Sequence, residues 1–401
     1  MKTFFNDTQC GKHEARSVMI DMEPKAVNWA VQDTTGKEWR YAKSQQFVQK
    51  SGSGNNWSYG FKVHAPKCKD AIIDLIRKEI EKCDYFGGFL LLMSLAGGTG
   101  SGLGAFVGNV LRDNFPRATV LNPVVCPYTS GEVAVQNYNA VLSLSHIIAV
   151  SDAVCLLHNN QLHEICHRLL GIKQVSFHDM NKVAAHQLAS VLLPIIQDKQ
   201  SGSRFQNVLN DIASALVCNS RYKMLDLKCV PYMSPHTMAF NTFQWEGLAK
   251  RMFQMMLTDH HMDEGLNWRT TLTRPHGKTQ RSSTYTKYVS SLLFMRGQGS
   301  TSYDLLTQFG DSRLYPTWIM PACRNSVWKT ELPFRGYEKC IAFLSNGTSC
   351  VKSLNVLTEE AWDMFGSKAY LHHYYKYGLE ESDFINAFAT VENVIYSYKT
   401  L

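Results

Sequence analysis

Between residues 15 and 200, apolar runs of strand length alternate with stretches of helical spacing. The run Ser17–Ile20 leads into Asp21, an amphipathic stretch covers Asp70–Lys82, and Phe89–Leu95 reads as a buried strand. A glycine-rich turn comes next, then a helical segment to Arg112 and the apolar run Thr119–Val125. A long helical pattern over Val135–Val150, the run Ala153–Leu157 and a helix over Asn160–Leu170 continue the series. Strands and helices in alternation predict an α/β fold, a parallel sheet covered by helices on both faces.

The polar stretch Gln197–Arg204 breaks this rhythm and places a domain boundary near residue 200. Beyond it, strand-like runs at Tyr288–Met295 and Cys340–Ser345 predict a smaller mixed α/β domain over 201–352. Over 353–401 the spacing turns helical, with acidic residues early in the segments, which predicts a helical C-terminal layer.

Composition narrows the function classes. At 401 residues, 45% hydrophobic and 19% charged, the chain can bury a sizeable core. Its apolar runs are too short to cross a bilayer and no signal-peptide core stands at the start, so a soluble intracellular protein without membrane insertion is expected. Eleven cysteines, none closer than ten positions to the next, form no CxxC pair and no compact disulfide framework, so reduced thiols are expected. The net charge of +7 comes without a dense basic run interleaved with aromatics, so no nucleic-acid partner is expected.

The chemistry concentrates around "LAGGTGSGLGAF", residues 95–106. Glycine loses more conformational entropy on folding than any other residue, so such a cluster after a strand needs a reason. One is an anion: bare backbone amides of Gly97, Gly98, Gly100 and Gly102, with the hydroxyls of Thr99 and Ser101, can grip phosphate oxygens at a helix start. The other is a tight strand-to-helix turn with close packing. The loop matches neither GxxxxGK[ST] nor GxGxxG, since Leu103 stands where the last glycine belongs. A second polar glycine stretch, Ser51–Gly60, suits an anion nest or a plain surface turn. Asp21 and Glu23 before Pro24 suit Mg²⁺ facing phosphate or ordinary turn and cap roles. "HEICH", His163–His167, matches HExxH, with Glu164 as general base of a zinc metalloprotease, but no third ligand follows at a recognised spacing.

"GGTGSG" after a buried strand, "DMEP" and "SGSGNNW" upstream and "QNYN" downstream keep the order found in the tubulin family, and the chain resembles that family from about Phe4 to its end. Stretches such as "IRKEIEKCD", "HQLASV" and "MFGSKAYLHHY" look most like its delta class, associated with centrioles and cilia. The resemblance implies a GTP-binding domain, an intermediate domain and a C-terminal helical layer. It implies GTP or GDP with Mg²⁺ as cofactors: Gly97–Gly102 on the phosphates, Gly52, Ser53, Gly54 and Asn55 as a second phosphate loop, and Asp21 and Glu23 toward the metal. Glu132 would meet the ribose. Asn159, Phe177 and Asn181 would hold the base, with Phe177 where most members carry Tyr. Hydrolysis in this family uses an acid from a neighbouring subunit, and Asp211 stands at that position, one methylene shorter; read alone, it is an ordinary solvated helix acid. Other tubulin-family subunits and microtubule or centriole components are the implied partners. The cytoplasm, cytoskeleton, centrosome, centriole and cilium are the implied locations, and the nucleus a further one.

The chain also departs from the family. Its opening strand, first nucleotide loop and first helix have no counterpart here, and "TQCG" at Thr8–Gly11 lies too close to the next strand to replace them. The acidic C-terminal tail is absent too, which suits a structural role at specialised assemblies better than bulk lattice. The expectation is therefore a GTP-binding cytoskeletal protein of centriole and ciliary microtubules, with a nucleotide-free scaffold of the same fold as the alternative.

Overall fold

The computed structural model describes residues 3–8, 11–129, 131, 133–195, 207–238, 240, 243–272 and 285–401. The boundary expected at Gln197–Arg204 falls outside them. The strands are β1 (Phe5–Asp7), β2 (His13–Ala15), β3 (Met19–Asp21), β4 (Trp39–Arg40), β5 (Gln46–Val48), β6 (Phe89–Leu90), β7 (Met93–Ser94), β8 (Val120–Cys126), β9 (Ala153–His158), β10 (Met224–Val230), β11 (Tyr288–Gly297), β12 (Asn325–Thr330) and β13 (Lys339–Gly347). The helices that bear on the site are α1 (Pro24–Asp33), α2 (Ala65–Glu81), α3 (Gly104–Asn114), α4 (Gln136–Val150), α5 (Asn159–Glu164), α6 (Phe177–Leu192) and α7 (Val208–Leu216).

One sheet carries most of the molecule, in the order β12-β11-β13-β10-β9-β8-β6, with β7 also on β8. β6, β7, β8, β9 and β10 run parallel, whereas β13 is antiparallel to both β10 and β11. The junction between the two halves is narrow: β9 and β10 pair at Val154–Met224 and Cys155–Leu225 alone, against six residue pairs between β8 and β9.

Period-two alternation sorts the buried strands between two cores. Val154 and Leu156 of β9 face a cluster with α4 residues Tyr138, Leu142 and Ile147. Ala153, Cys155 and Leu157 face the opposite cluster, with Met180 and Val183 of α6 and Ile212 of α7. The C-terminal helices Ser349–Gly366 and Glu381–Lys399 close the first core through Leu354, Phe384, Phe388 and Val391. Helices thus cover both faces, as the alternation predicts.

The strand expected at Ser17–Asp21 forms but does not join this sheet. β3 pairs in parallel with β5, and β1, β2 and β4 make a separate three-stranded sheet. β6 and β7 are left with a ladder partner on one side only among the described residues, and Leu92 between them is 60% exposed. Side-chain packing makes the attachment instead: Ile20 and Met22 beside β3 and Phe47 of β5 share a cluster with Ile72 and Ile76 of α2, Val107 of α3, and Phe89.

Candidate functional site

Parallel strands direct their C-terminal ends to one pole, and both glycine-rich stretches sit there. The first follows β7 and enters α3 through a π-helical turn, Thr99–Leu103; the second enters α2 through another, Tyr59–His64. Such single wide turns recur at functional sites.

The two stretches interlock backbone to backbone. A Cβ on Gly98 would lie 2.7 Å from Asn56 N and from Ser53 Cβ; on Gly102, 2.3 Å from the Trp57 carbonyl oxygen; on Gly60, 2.2 Å from that of Gly98. A Cβ on Gly100 would crowd the Ser94 backbone at 3.1 Å. Close packing therefore explains Gly98, Gly100 and Gly102 without any ligand. Gly97 is different: a Cβ there would meet nothing nearer among the described residues than Asn55 Oδ1 at 3.7 Å, so their packing leaves that position unexplained. In the second loop Gly54 and Asn55 have φ of 56° and 53°, the left-handed region in which glycine and asparagine are least strained. At Gly52 the Glu23 carboxylate lies where a Cβ would be, with Glu23 Oε1 2.0 Å away. Asp21 accepts from the Glu23 amide at 3.1 Å, so both acids border the loop.

Hydroxyls link the loops. Ser53 Oγ lies 3.2 Å from Thr99 Oγ1 and 3.1 Å from His64 Nδ1. The Ser101 side chain is fully buried and donates to the Gly97 carbonyl, so this hydroxyl serves the loop's own fold. Asn139, the last residue of "QNYN", is the clamp that the sequence reading did not assign. It is fully buried, its amide donates to the carbonyls of Asn55 and Ala96 at 2.8 Å each, and its Oδ1 accepts from Trp57 N at 3.0 Å and Tyr374 Oη at 2.7 Å. The motif placed Asn139 on a helix, but only the fold shows that it ties both loops to the C-terminal layer. Asn56 adds a second tie by donating to the His373 carbonyl at 3.1 Å.

The other expected residues scatter around this pole. Asn159 opens α5 directly after β9, and Phe177 and Asn181 lie one turn apart at the start of α6, where the Phe177 ring is 56% exposed. Ser176 caps that helix by accepting from the Asp179 amide at 3.3 Å. Glu132 lies outside the described residues. Asp211, in the first turn of α7, sits at the far pole: its neighbour Asn210 accepts from Thr119, just before β8, and Asn207 lies against Gly87, just before β6. β8 alone separates the poles by about 20 Å at ~3.3 Å per residue. One Asp211 oxygen is buried without a hydrogen-bond partner among the described residues, and burial raises its carboxyl pKa.

The HExxH match spans α5 and a π-helical turn, Ile165–Leu169. The rings of His163 and His167 stack with centroids 6.4 Å apart, but the Glu164 carboxylate lies 2.7 Å from His261 Nε2. No group of three or more His, Cys, Asp or Glu among the described residues is arranged to hold a metal, so the zinc reading gains no support.

Comparison with known proteins decides the family. Residues 1–167 match the GTPase domain of the Tubulin/FtsZ family. Over 99% of its length the chain is 42% identical to the tubulin delta chains of Macaca fascicularis and Canis lupus familiaris, and 41% to that of Homo sapiens, covering 89% of each relative. The chain belongs to the tubulin family. It is thus a tubulin-family cytoskeletal protein of the delta class, and a GTPase-domain match implies GTP or GDP as ligand. No helix among the described residues is long and apolar enough to cross a membrane.

Proposed function

We propose that the chain binds guanine nucleotide at the pole of the interlocked loops and serves centriole and ciliary microtubule organisation. Gly97 carries the reading, as the one glycine among Gly97, Gly98, Gly100 and Gly102 whose missing side chain the packing does not explain. Amides at a helix start have no intrahelical acceptors, so those of Gly97–Ser101 can meet phosphate oxygens, Gly102 N being already bonded to the Gly98 carbonyl, while Gly52–Asn55 face them from the second loop. Asp21 and Glu23 would hold Mg²⁺ there, directly or through water, to neutralise phosphate charge. Phe177 offers an exposed ring to stack on the base, between the amides of Asn159 and Asn181, and Glu132 would meet the ribose.

Asp211 cannot serve its own nucleotide from the opposite pole. Head-to-tail stacking with another tubulin-family subunit would bring it to a neighbour's phosphates, where an acid can orient the attacking water. The delta-class likeness supports a place at the centriole and cilium.

The nucleotide-free scaffold stays as a second reading, favoured by one observation. β3, which carries Asp21 and leads into Glu23, is joined to the main sheet by side-chain packing and, among the described residues, not by ladder bonds.

Equilibrium binding of fluorescently labelled GTP separates the two, with Gly97→Val as the comparison. Gly98→Arg would be a poor choice, since even a Cβ collides there. Hydrogen bonds to a charged acceptor are worth roughly 1.5–3 kcal/mol each, so losing one contact should weaken binding about 10- to 150-fold at unchanged melting temperature. Equal binding by both proteins, or none by either, contradicts the assignment.

A further inference from the structure

His64 ends the π-helical turn that leads into α2 and is only 8% exposed. The ring of Tyr59 covers it at 4.4 Å, and its Nδ1 reaches Ser53 Oγ at 3.1 Å. Ser53 in turn reaches Thr99 at 3.2 Å, so an imidazole, a serine and a threonine form one chain from the interior to the first glycine loop.

We propose that His64 is a positioning residue of the phosphate site: through Ser53 it sets the direction of the Thr99 hydroxyl, and nucleotide binding draws a proton onto its ring. The inference rests on the assignment of Gly97–Gly102 as the phosphate loop.

A serine hydroxyl has one proton and here two neighbours. When His64 Nδ1 is bare, Ser53 donates to it, Thr99 donates to Ser53, and the Thr99 proton points away from a ligand. When Nδ1 carries a proton the order reverses: Nδ1–H donates to Ser53, Ser53 donates to Thr99, and the Thr99 proton is released for an oxyanion. The neutral ring can adopt either tautomer, whereas the imidazolium enforces the second order and adds a positive charge near the phosphates. In the free protein, burial and then the neighbouring Lys67 hold His64 below its ordinary pKa. A polyanion arriving at Thr99 favours the charged ring and raises that pKa.

Other charged and titratable groups stand around this chain. Lys67 comes from α2, Glu23, its amide bonded to Asp21, borders Gly52, and Tyr377, from the C-terminal layer, packs on Tyr59 at 4.7 Å. The ring of His146 in α4 lies tilted against Trp57 at 5.3 Å, and burial, then Lys62, lowers its pKa. Carboxylates, ammonium groups and phenols ordinarily titrate outside pH 6–8, so His64 is to be separated from His146 and from His373, whose carbonyl accepts from Asn56. The sign follows from linkage: a group whose pKa is higher in the complex than in the free protein tightens binding as pH falls between the two values.

The test is the dissociation constant of GDP, with Mg²⁺ present, from pH 8 to pH 6 for the full chain, His64→Gln and Ser53→Ala. The terminal phosphate titrates near pH 6, but identically for each protein, so it cancels in their ratios. Relative to the unmodified protein, His64→Gln should lose about 3- to 10-fold in affinity between pH 8 and pH 6. Ser53→Ala, which keeps the imidazole and cuts its link to Thr99, should show a loss in the same direction. A ratio constant with pH for His64→Gln overturns the inference, and so does an unaltered pH slope in Ser53→Ala. If the unmodified protein binds GDP with either result, the phosphate-loop assignment stands on its own. If it binds none at any pH, both fall.

Discussion

At the scale of single residues, the glycine loop separates two causes that its composition merges. Gly98 and Gly102 are small because another backbone passes within contact distance, whereas no close contact among the described residues requires glycine at Gly97. Composition could reveal the cluster but not this division, since it depends on a partner about 40 positions upstream in the sequence. Ser101 was legible as a hydroxyl, but its bond to Gly97 shows only in the folded turn. Asn139 carries four hydrogen bonds in a fully buried position, two of them from its amide to loop carbonyls. Asn139→Ala would leave the Asn55 and Ala96 carbonyls without those donors, at about 1–3 kcal/mol for each unsatisfied group. Urea unfolding should show a loss of roughly 2–5 kcal/mol, with faster amide exchange at residues 52–57 and 95–101. A loss under about 0.5 kcal/mol would mean the clamp is not what joins the loops.

At the scale of elements, the alternating pattern was legible where local periodicity decides. α4 begins at Gln136, within one residue of the expected Val135, and α3, β8 and β9 stand where apolar spacing puts them. It failed where pairing decides. Ser17–Asp21 reads as a strand of the central sheet, yet β3 lies on β5, because apolar content specifies burial and not the ladder partner. The helix expected over Asn160–Leu170 shortens to α5 and continues as a π-helical turn, a change of hydrogen-bond register that hydrophobic spacing does not encode. β10 was hidden for a related reason. It bridges a parallel neighbour and an antiparallel one, and this dual pairing belongs to no local pattern.

At the scale of the whole molecule, polarity connects fold to assembly. The loops occupy the pole at the C-terminal strand ends and Asp211 the opposite one, so any chemistry that uses both requires two subunits in line. GTP turnover per molecule is therefore expected to rise with protein concentration and with added tubulin-family partner. Asp211→Asn should abolish that rise while leaving GTP affinity within about twofold, a difference under ~0.5 kcal/mol. Concentration-independent turnover, or full turnover by the variant, would remove Asp211 from the mechanism. The two poles were readable from the sequence only through family resemblance, since no spacing between residues 97 and 211 encodes their separation. Everything above depends on backbone amides at the interlocked loops receiving a guanine nucleotide's phosphates, and an experimental structure of the protein with GDP and Mg²⁺ tests that most directly. The account predicts phosphate oxygens within about 3 Å of amides in Gly97–Gly102, with the base beside Phe177. Nucleotide bound elsewhere, or loops closed on themselves with no phosphate between them at saturating GDP, would contradict it.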